Sequence, residues 1–342
     1  MKIGIIGLPG AGRRTVFAAL TQGGVAAAKA ENAIVTVTVP DPRVAVLSGM
    51  YSPRKTTFAR IEYLSPAGSN GRSADQDGER PVDAMWNEVR ACDALIAVVA
   101  NFNGVAGGPG AAEAVRKLGE EMAFADFAVV DKRRERLAHD KGRGRKVNDE
   151  ELGLLERSAV LLENNRPVRV DPDLASSVIL RGFGLVSMKP LLTLYNNDDD
   201  NPAPPADAGP GPLVIRARIE SELAGMAAED AAVFRAEYGI AESALDRIIR
   251  RSYGLLGLIS FFTVGDDEVK AWTIKAGTPA VDAAEVIHSD IQKGFIRAEA
   301  VAYDDLIAAG NMAEAKKAGK LRLEGKTYVV ADGDVINFRF NV

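Results

Sequence analysis

The sequence predicts an α/β protein with a doubly wound sheet, a helical hairpin inserted into that sheet domain, and a small β-rich domain at the carboxyl-terminal end. Three observations lead to this prediction. Short apolar segments alternate with helical segments as far as Ala217, which is typical of a largely parallel sheet. A long charged stretch at residues 111–163 interrupts them. After Gly254 the pattern changes to short strands and turns.

The predicted strands begin at the amino terminus. Lys2–Ile6 is a short apolar segment, followed by a glycine-rich turn and a helix that begins near Arg13. Five further segments are short and rich in β-branched or other apolar residues, as buried strands are. They are Ile34–Val39, Ala59–Leu64, Ala94–Ala100, Leu191–Tyr195 and Leu213–Ala217.

The charged stretch has apolar residues at helical spacing, such as Leu118 and Met122 in its first half and Leu155 and Ala159 in its second. Two antiparallel helices joined near residues 141–144 explain this spacing. Because sequence typical of an α/β domain resumes at residues 178–195, the hairpin is predicted to be an insertion. The predicted division is 1–110 and 176–255 for the two parts of the sheet domain, 111–175 for the hairpin, and 256–342 for the β-rich domain.

Composition excludes several classes of protein. A single cysteine, Cys92, cannot form an intramolecular disulfide, and two histidines are too few for a Cys/His zinc site. No apolar stretch approaches the 18 or more residues that a membrane span needs, so we expect a cytoplasmic protein. The net charge of −5 predicts no bulk attraction to nucleic acid, and no DNA specificity is expected.

The turn after the first strand resembles a phosphate-binding loop, G-x-x-x-x-G-K-[S/T], in its glycines but not in its last two residues. Arg13 and Arg14 replace the lysine that reaches the outer phosphates and the hydroxyl that binds Mg²⁺. Thr15 lies about 100° further round the helix and is a poor substitute for that hydroxyl. A strand-to-helix turn that uses glycine for geometry alone is the alternative. The candidate phosphate-binding residues are Gly7, Leu8, Pro9, Gly10, Ala11, Gly12, Arg13, Arg14 and Thr15.

A basic patch lies at the predicted end of the hairpin. Residues 132–146 contain eight basic and two acidic side chains, a local charge of +6. Clustered cations at an exposed end suit contact with an RNA backbone, whereas long helices can also carry such charges merely for solvation. The candidate contact residues are Arg133, Arg134, Arg143 and Arg145.

Several longer strings resemble the Obg-like ATPase (YchF) family over nearly the whole chain. Residues 7–12 are similar to the family's GLPNVG loop, 39–43 to its VPDxR strand exit, and 188–196 to its TxKPxxxxxN strand. Residues 120–127 resemble the start of the family's inserted coiled coil. The carboxyl-terminal strings 258–265, 268–274, 287–299, 318–322, 332–334 and 338–342 resemble its TGS-type domain.

The resemblance implies a P-loop NTPase-type sheet with an inserted coiled coil and a β-grasp-like, TGS-type domain. It also implies a purine nucleotide, ATP or GTP, and the ribosome or ribosomal RNA as partner. Asn196 aligns with the family's base-reading asparagine, and Asp199 with the carboxylate three positions on, which tilts the choice slightly toward adenine. Asn197 with Asp200 has the same spacing and is an equally possible pair. The alternative interpretation is an acidic turn after the strand that binds no nucleotide base.

The departures from the family pattern concern phosphate chemistry. The family's metal-facing DxAG motif aligns with Ser65-Pro-Ala-Gly68, so its aspartate is absent, and residues 69–81 lack its glycine-rich switch. Together with Arg13 and Arg14, this makes Mg²⁺ doubtful and predicts weak or absent hydrolysis. A scaffold that binds partners without nucleotide and an ATPase completed by a partner are the competing hypotheses. The sequence does not predict the oligomeric state.

Overall fold

The computed structural model describes residues 1–21, 33–66, 81–102, 110–209, 211–240 and 242–341. The chain divides into two compact units. Unit 1 comprises Met1–Val37 and Glu62–Ile248, and unit 2 comprises Thr38–Ile61 and Ile249–Val342. The described residues form twelve strands: β1 Lys2–Ile6, β2 Ala33–Thr38, β3 Lys55–Thr57, β4 Arg60–Ser65, β5 Ala94–Asn101, β6 Leu191–Asn197, β7 Leu213–Ile215, β8 Leu258–Thr263, β9 Glu268–Lys275, β10 Phe295–Ala302, β11 Arg322–Glu324 and β12 Asp334–Phe340.

Unit 1 contains the predicted doubly wound sheet, with strand order β2-β4-β1-β5-β6-β7. The pairs from β4 to β7 are parallel. β1 and β5 carry apolar side chains that are almost fully buried, as expected for strands covered on both faces. In the sheet, β2 and β4 lie on one side of β1, whereas β5, β6 and β7 lie on the other. The loop after β1 therefore lies at a switch point of the sheet, where such folds bind ligands.

The helices of unit 1 lie between these strands. They are Arg13–Leu20, Pro81–Val89, Ala111–Gly142, Asp149–Glu163, Pro172–Ser176, Val178–Arg181, Ala217–Leu223 and Ala228–Glu237, and the helix Ala244–Leu255 continues into the residues of unit 2. Short 3₁₀ turns occupy Val168–Val170 and Val186–Met188. β7 is shorter than predicted, because Ala217 begins a helix instead of ending the strand. No helix in the described part of the chain combines the length and hydropathy that crossing a lipid bilayer requires.

The predicted helical hairpin is present, formed by the first hairpin helix, Ala111–Gly142, and the second, Asp149–Glu163. Asn148 caps the second helix, since its side-chain oxygen accepts the backbone N–H groups of Glu150 and Glu151 at 3.0 and 3.3 Å. The facing sides of the two helices are apolar and buried, and they pack with the segment that follows them. This cluster includes Val130, Leu137, Leu155, Ala159, Leu162, Val168, Leu174, Leu180 and Leu185.

A buried carboxylate joins the first hairpin helix to the rest of unit 1. Asp126 is 0% exposed and accepts the backbone N–H groups of Val186 and Ser187 at 2.9 and 2.6 Å. Arg90 Nη1 donates to the same carboxylate at 2.9 Å. These charge-assisted hydrogen bonds compensate for removing the carboxylate from water and fix the middle of the helix to the rest of unit 1.

Unit 2 contains a second sheet, with strand order β11-β10-β12-β8-β9-β3. The strand pairs β8–β9, β10–β12 and β10–β11 are antiparallel, whereas β12–β8 and β3–β9 are parallel. The helix Ala280–Ile287 packs its small buried residues against the apolar residues of one sheet face. The other helices are Pro42–Tyr51, Ser289–Lys293, Tyr303–Ala309 and Met312–Lys317. A helix packed on a mixed sheet agrees with the predicted β-grasp-like architecture.

One segment lies elsewhere than the sequence suggested. The predicted first domain, 1–110, includes residues 38–61, but β3 pairs with β9 through Lys55↔Glu268, Thr56↔Val269 and Thr57↔Lys270, which places the segment in unit 2. Such pairing between distant residues leaves no local signal in the sequence. The same unit brings two family-like motifs together, since Arg43 forms ion pairs with Asp41 and Asp332, each at 2.8 Å. The other predicted domain boundaries stay predictions.

Candidate nucleotide site

The loop between β1 and the first helix has a shape that glycine makes possible. Gly12 precedes the helix with φ 85° and ψ 22°, a left-handed conformation. A Cβ atom on Gly12 would lie 2.3 Å from Asn196 Nδ2, and one on Gly7 would lie 2.5 Å from the carbonyl oxygen of Val98. The loop is thus packed against β5 and β6 so closely that side chains at these two positions would displace their neighbours.

The helix that follows the loop, Arg13–Leu20, begins without a side-chain cap. Its first turn contains no acidic residue. Since Gly12 has no side chain, it cannot accept the N–H groups of the first turn, and these groups carry the positive end of the helix dipole. Backbone N–H groups at a switch point of a parallel sheet are suited to binding an anion such as phosphate.

Arg13 does not occupy the place of a phosphate-loop lysine. Its Nη1 lies 2.9 Å from Met85 Sδ, so the guanidinium lies against the helix Pro81–Val89. Burial lowers the pKa of Arg13, and the charge of the neighbouring Arg14 lowers it further. Arg14 itself is exposed, and Thr15 is half-buried. The loop therefore keeps its backbone shape while its principal cation points toward a methionine.

Asn196, at the end of β6, holds the loop in place. It is 6% exposed, and its Nδ2 donates to the carbonyl oxygen of Ala11 at 3.1 Å. Its Oδ1 accepts the backbone N–H of Ala217 at 3.2 Å, in the segment that follows β7. One amide side chain thus joins three segments at the carboxyl edge of the sheet. Its Nδ2 carries two hydrogens, of which this contact to Ala11 uses one.

Asn197 has a different environment, because successive side chains of a strand point to opposite faces. Its Nδ2 donates to the carbonyl oxygens of Asn201 and Ala203 at 2.9 and 2.6 Å, and its Oδ1 accepts from Asn101 Nδ2 at 2.9 Å. The side chain therefore organises its own loop rather than the phosphate-binding loop. The two asparagines of the alternative registers thus have different partners, and the choice between the registers stays a prediction.

Asp199 lies beside two arginines that the sequence analysis did not select. Arg218 Nε is 3.0 Å from its Oδ2, and Arg216 Nη1 donates to its carbonyl oxygen at 3.1 Å. Arg216 also donates to the carbonyl oxygen of Tyr238 at 2.9 Å. A base that hydrogen-bonds to Asp199 must share this carboxylate with Arg218. The available sequence signal was the pair of basic residues directly after β7, opposite an acidic loop.

The positions that the family pattern assigns to the metal provide no carboxylate, the ligand that protein sites for Mg²⁺ chiefly use. Arg14 is a cation, and Ser65, a buried residue at the end of β4, has a neutral hydroxyl. Within the described residues no three His, Cys, Asp or Glu side chains group as a metal site. Gly68 and residues 69–80, where the family has its glycine-rich switch, lie outside the described residues.

A cavity of about 590 Å³ opens beside the loop. Its volume lies within the range of small-molecule sites. Four parts of unit 1 line it, namely the loop residues Leu8, Pro9, Gly10 and Ala11, the end of β5 with Phe102, the start of the first hairpin helix with Ala111, Ala114, Lys117 and Leu118, and Asn201 after β6.

The four arginines predicted to contact RNA lie near the end of the hairpin, and acidic neighbours pair with three of them. Arg133 Nε is 2.6 Å from Glu151 Oε1, across the hairpin. Arg145 pairs with Asp140 at 2.9 Å and Arg134 with Asp131 at 3.4 Å. Arg143 is exposed, and no acidic side chain of the described residues pairs with it. Internal pairing reduces the free positive charge of the patch below the count from sequence.

The class of fold follows from the sheet and its loop. A doubly wound parallel sheet with a strand, a glycine loop and a helix at its switch point agrees with the P-loop NTPase class. The comparisons with known proteins agree. A family model named YchF-GTPase_C, described as a protein of unknown function, matches residues 258–341. The chain belongs to the YchF (Obg-like ATPase) family.

The relatives match over the full length. The Ribosome-binding ATPase YchF of Bacillus subtilis is 38% identical, with 100% of each chain covered. Obg-like ATPase 1 of Oryza sativa subsp. japonica is 34% identical over 100% of this chain and 92% of the relative. The solved structure of the Schizosaccharomyces pombe YchF GTPase superposes with a TM-score of 0.81 at 27% identity, covering 99% of this chain and 97% of that one.

Proposed function

We propose that this chain is a ribosome-associated protein that binds a purine nucleotide, with ATP slightly favoured over GTP, and hydrolyses it weakly or not at all. The observation that carries the proposal is the tightly packed glycine loop, which keeps its braced backbone shape although its reactive side chains are absent. Asn196 still holds the loop by its contact with Ala11, and Gly12 still provides the space for that contact. A turn that served only to connect a strand and a helix would need no such bracing.

In this proposal the chain's own groups bind the nucleotide in two places. Backbone N–H groups of the loop and of the first helical turn, around Gly7–Thr15, hold the phosphates. Asn196 and Asp199 serve the base end, where the second Nδ2 hydrogen of Asn196 can donate to a purine edge and the carboxylate of Asp199 can accept from it. Arg218, paired with Asp199, orients that carboxylate.

Slow hydrolysis follows from three substitutions that act on the same step. Phosphoryl transfer depends on a metal ion and on cations that neutralise the charge of the transferred group. Arg13 lies against Met85, Arg14 cannot ligate a metal, and Ser65 replaces a carboxylate. Each such loss costs on the order of 10²–10³ in rate, so the combined loss is several powers of ten. No step of the proposal requires Mg²⁺.

Titration calorimetry with ATP, GTP and ADP, each with and without Mg²⁺, tests the nucleotide part. We expect binding that is indifferent to Mg²⁺. Absence of heat with every nucleotide up to millimolar concentration would refute it and leave the scaffold that binds partners without nucleotide. Binding that requires Mg²⁺ would instead support an ATPase whose metal site a partner completes.

The ribosomal part of the proposal rests on the relatives named as ribosome-binding ATPases and on the exposed arginines at the hairpin end. Reversal of Arg133, Arg134, Arg143 and Arg145 to Glu should reduce co-sedimentation with ribosomes at low salt, because contacts to phosphates are electrostatic. Since Arg143 is the arginine without an acidic partner among the described residues, Arg143→Glu should account for most of the loss. Unchanged co-sedimentation of the quadruple variant would remove this patch from the proposal.

A further inference from the structure

The cavity beside the loop has one electrostatic feature that the sequence motif does not reveal. Among the described residues that line it, Lys117 is the only charged side chain. The others are backbone segments, apolar side chains and two amides, Asn101 and Asn201. A cavity with a single cation and an otherwise neutral lining is suited to a ligand that carries negative charge.

Lys117 reaches this cavity because of its place on the first hairpin helix, Ala111–Gly142. Ala111, Ala114 and Leu118 line the same cavity, and their spacing of three and four residues places them on one helix face. Lys117 stands at the edge of that face, so its flexible side chain can extend along the cavity wall. The loop residues Leu8–Ala11 line the same cavity.

Lys117 forms an ion pair that is weak enough for a ligand to replace. Its Nζ lies 2.9 Å from Glu113 Oε1 on the preceding turn, and both side chains are about half exposed. Such an exposed pair on a helix surface is weak and screened by salt, so a phosphate can compete for the ammonium group. Arg13, by contrast, is held against Met85 within the protein.

We propose that Lys117, on the hairpin helix, supplies the cation that faces the terminal phosphates of a nucleotide bound at the loop, in place of the missing phosphate-loop lysine. The inference rests on the proposed nucleotide binding and adds a residue to that site. It also makes the hairpin part of the site, because its first helix provides a ligand-binding group.

The test compares Lys117→Met with Arg116→Met, the neighbouring residue on the same helix. Both substitutions remove one positive charge, and both residues approach Glu113, at 2.9 Å for Lys117 and 3.9 Å for Arg116. Arg116 does not line the cavity. Affinities for ATP and AMP are measured by calorimetry on the full chain, and circular dichroism confirms that each variant is folded.

We expect Lys117→Met to weaken ATP binding about tenfold, the lower end of what a charge-assisted hydrogen bond contributes, with little change for AMP. Arg116→Met should bind both as the natural chain does, and Lys117→Arg should retain most of the ATP affinity. Equal ATP affinity of Lys117→Met and the natural chain, or an equal loss in Arg116→Met, would overturn the inference and leave nucleotide binding intact. A natural chain that binds neither nucleotide would overturn the proposed function itself.

Discussion

The contact between Gly12 and Asn196 provides a sharp test of how the loop is stabilised. Gly12→Ala introduces two separate costs. An L-residue at φ 85° costs about 1–2 kcal/mol. The new Cβ would also lie 2.3 Å from Asn196 Nδ2, so Asn196 must move and release the carbonyl of Ala11 and the N–H of Ala217. Two buried groups without partners, at the lower end of about 1–3 kcal/mol each, add about 2 kcal/mol.

The sum predicts that Gly12→Ala destabilises unit 1 by about 3–4 kcal/mol. Gly10→Ala is the matched control, since Gly10 has φ +83° and a Cβ there would meet nothing within 4 Å. It should cost about 1–2 kcal/mol, the conformational part alone. The difference of about 2 kcal/mol therefore isolates the contact with Asn196.

Urea denaturation measures both values through Trp86, which is 1% exposed and lies in unit 1. The sequence contains two tryptophans, so a Trp272→Phe background leaves Trp86 as the sole tryptophan signal. Gly12→Ala should also weaken nucleotide binding more than Gly10→Ala. Equal destabilisation by the two substitutions would refute the argument that Asn196 braces the loop.

Two further predictions concern ion pairs. Asp126→Asn should destabilise unit 1 by about 3–5 kcal/mol in the same urea assay, because it leaves the Arg90 guanidinium without its buried counter-charge. A destabilisation below about 1 kcal/mol would contradict this prediction. In unit 2, hydrogen bonding from Thr57 lowers the pKa of Glu268, and Lys55 lowers it further. A carboxyl group whose pKa is lowered by folding stabilises the folded state at pH values above its unfolded pKa of about 4.3. This stabilisation is lost as the pH falls through the folded pKa. The Glu268→Gln variant should therefore be less stable than the natural chain at pH 7 and equally stable in acid. Thermal unfolding at both pH values measures this. A stability difference that persists in acid would exclude the linkage to the pKa of Glu268.

Much of unit 1 could be predicted from sequence, because its signals are local. β1, β5 and β6 are short apolar runs, and the two hairpin helices repeat apolar residues at helical spacing. The glycine loop was visible as a motif since glycines mark positive φ and close approach. The resemblance to the YchF family then supplied the architecture of the carboxyl-terminal sheet.

The positions of side chains at the site were a different matter. Sequence placed Arg13 where a phosphate-loop lysine belongs, but the folded chain lays it against Met85. The charge count from sequence treated Arg133 as a free cation. In the folded hairpin, Arg133 Nε lies 2.6 Å from Glu151 Oε1. Lys117 carried no motif at all and lines the cavity because a helix face happens to meet the loop.

The sequence by itself determined the main strands of unit 1, the two hairpin helices, the place of the glycine turn and the family that the chain resembles, because periodicity and backbone preference act over a few neighbouring residues. The tertiary structure decided that Thr38–Ile61 joins unit 2, that Asn196 bridges Ala11 and Ala217, and which cations remain available at the loop. These outcomes depend on groups far apart in the chain that meet only on folding. Their burial and pairing set the charge that a ligand encounters.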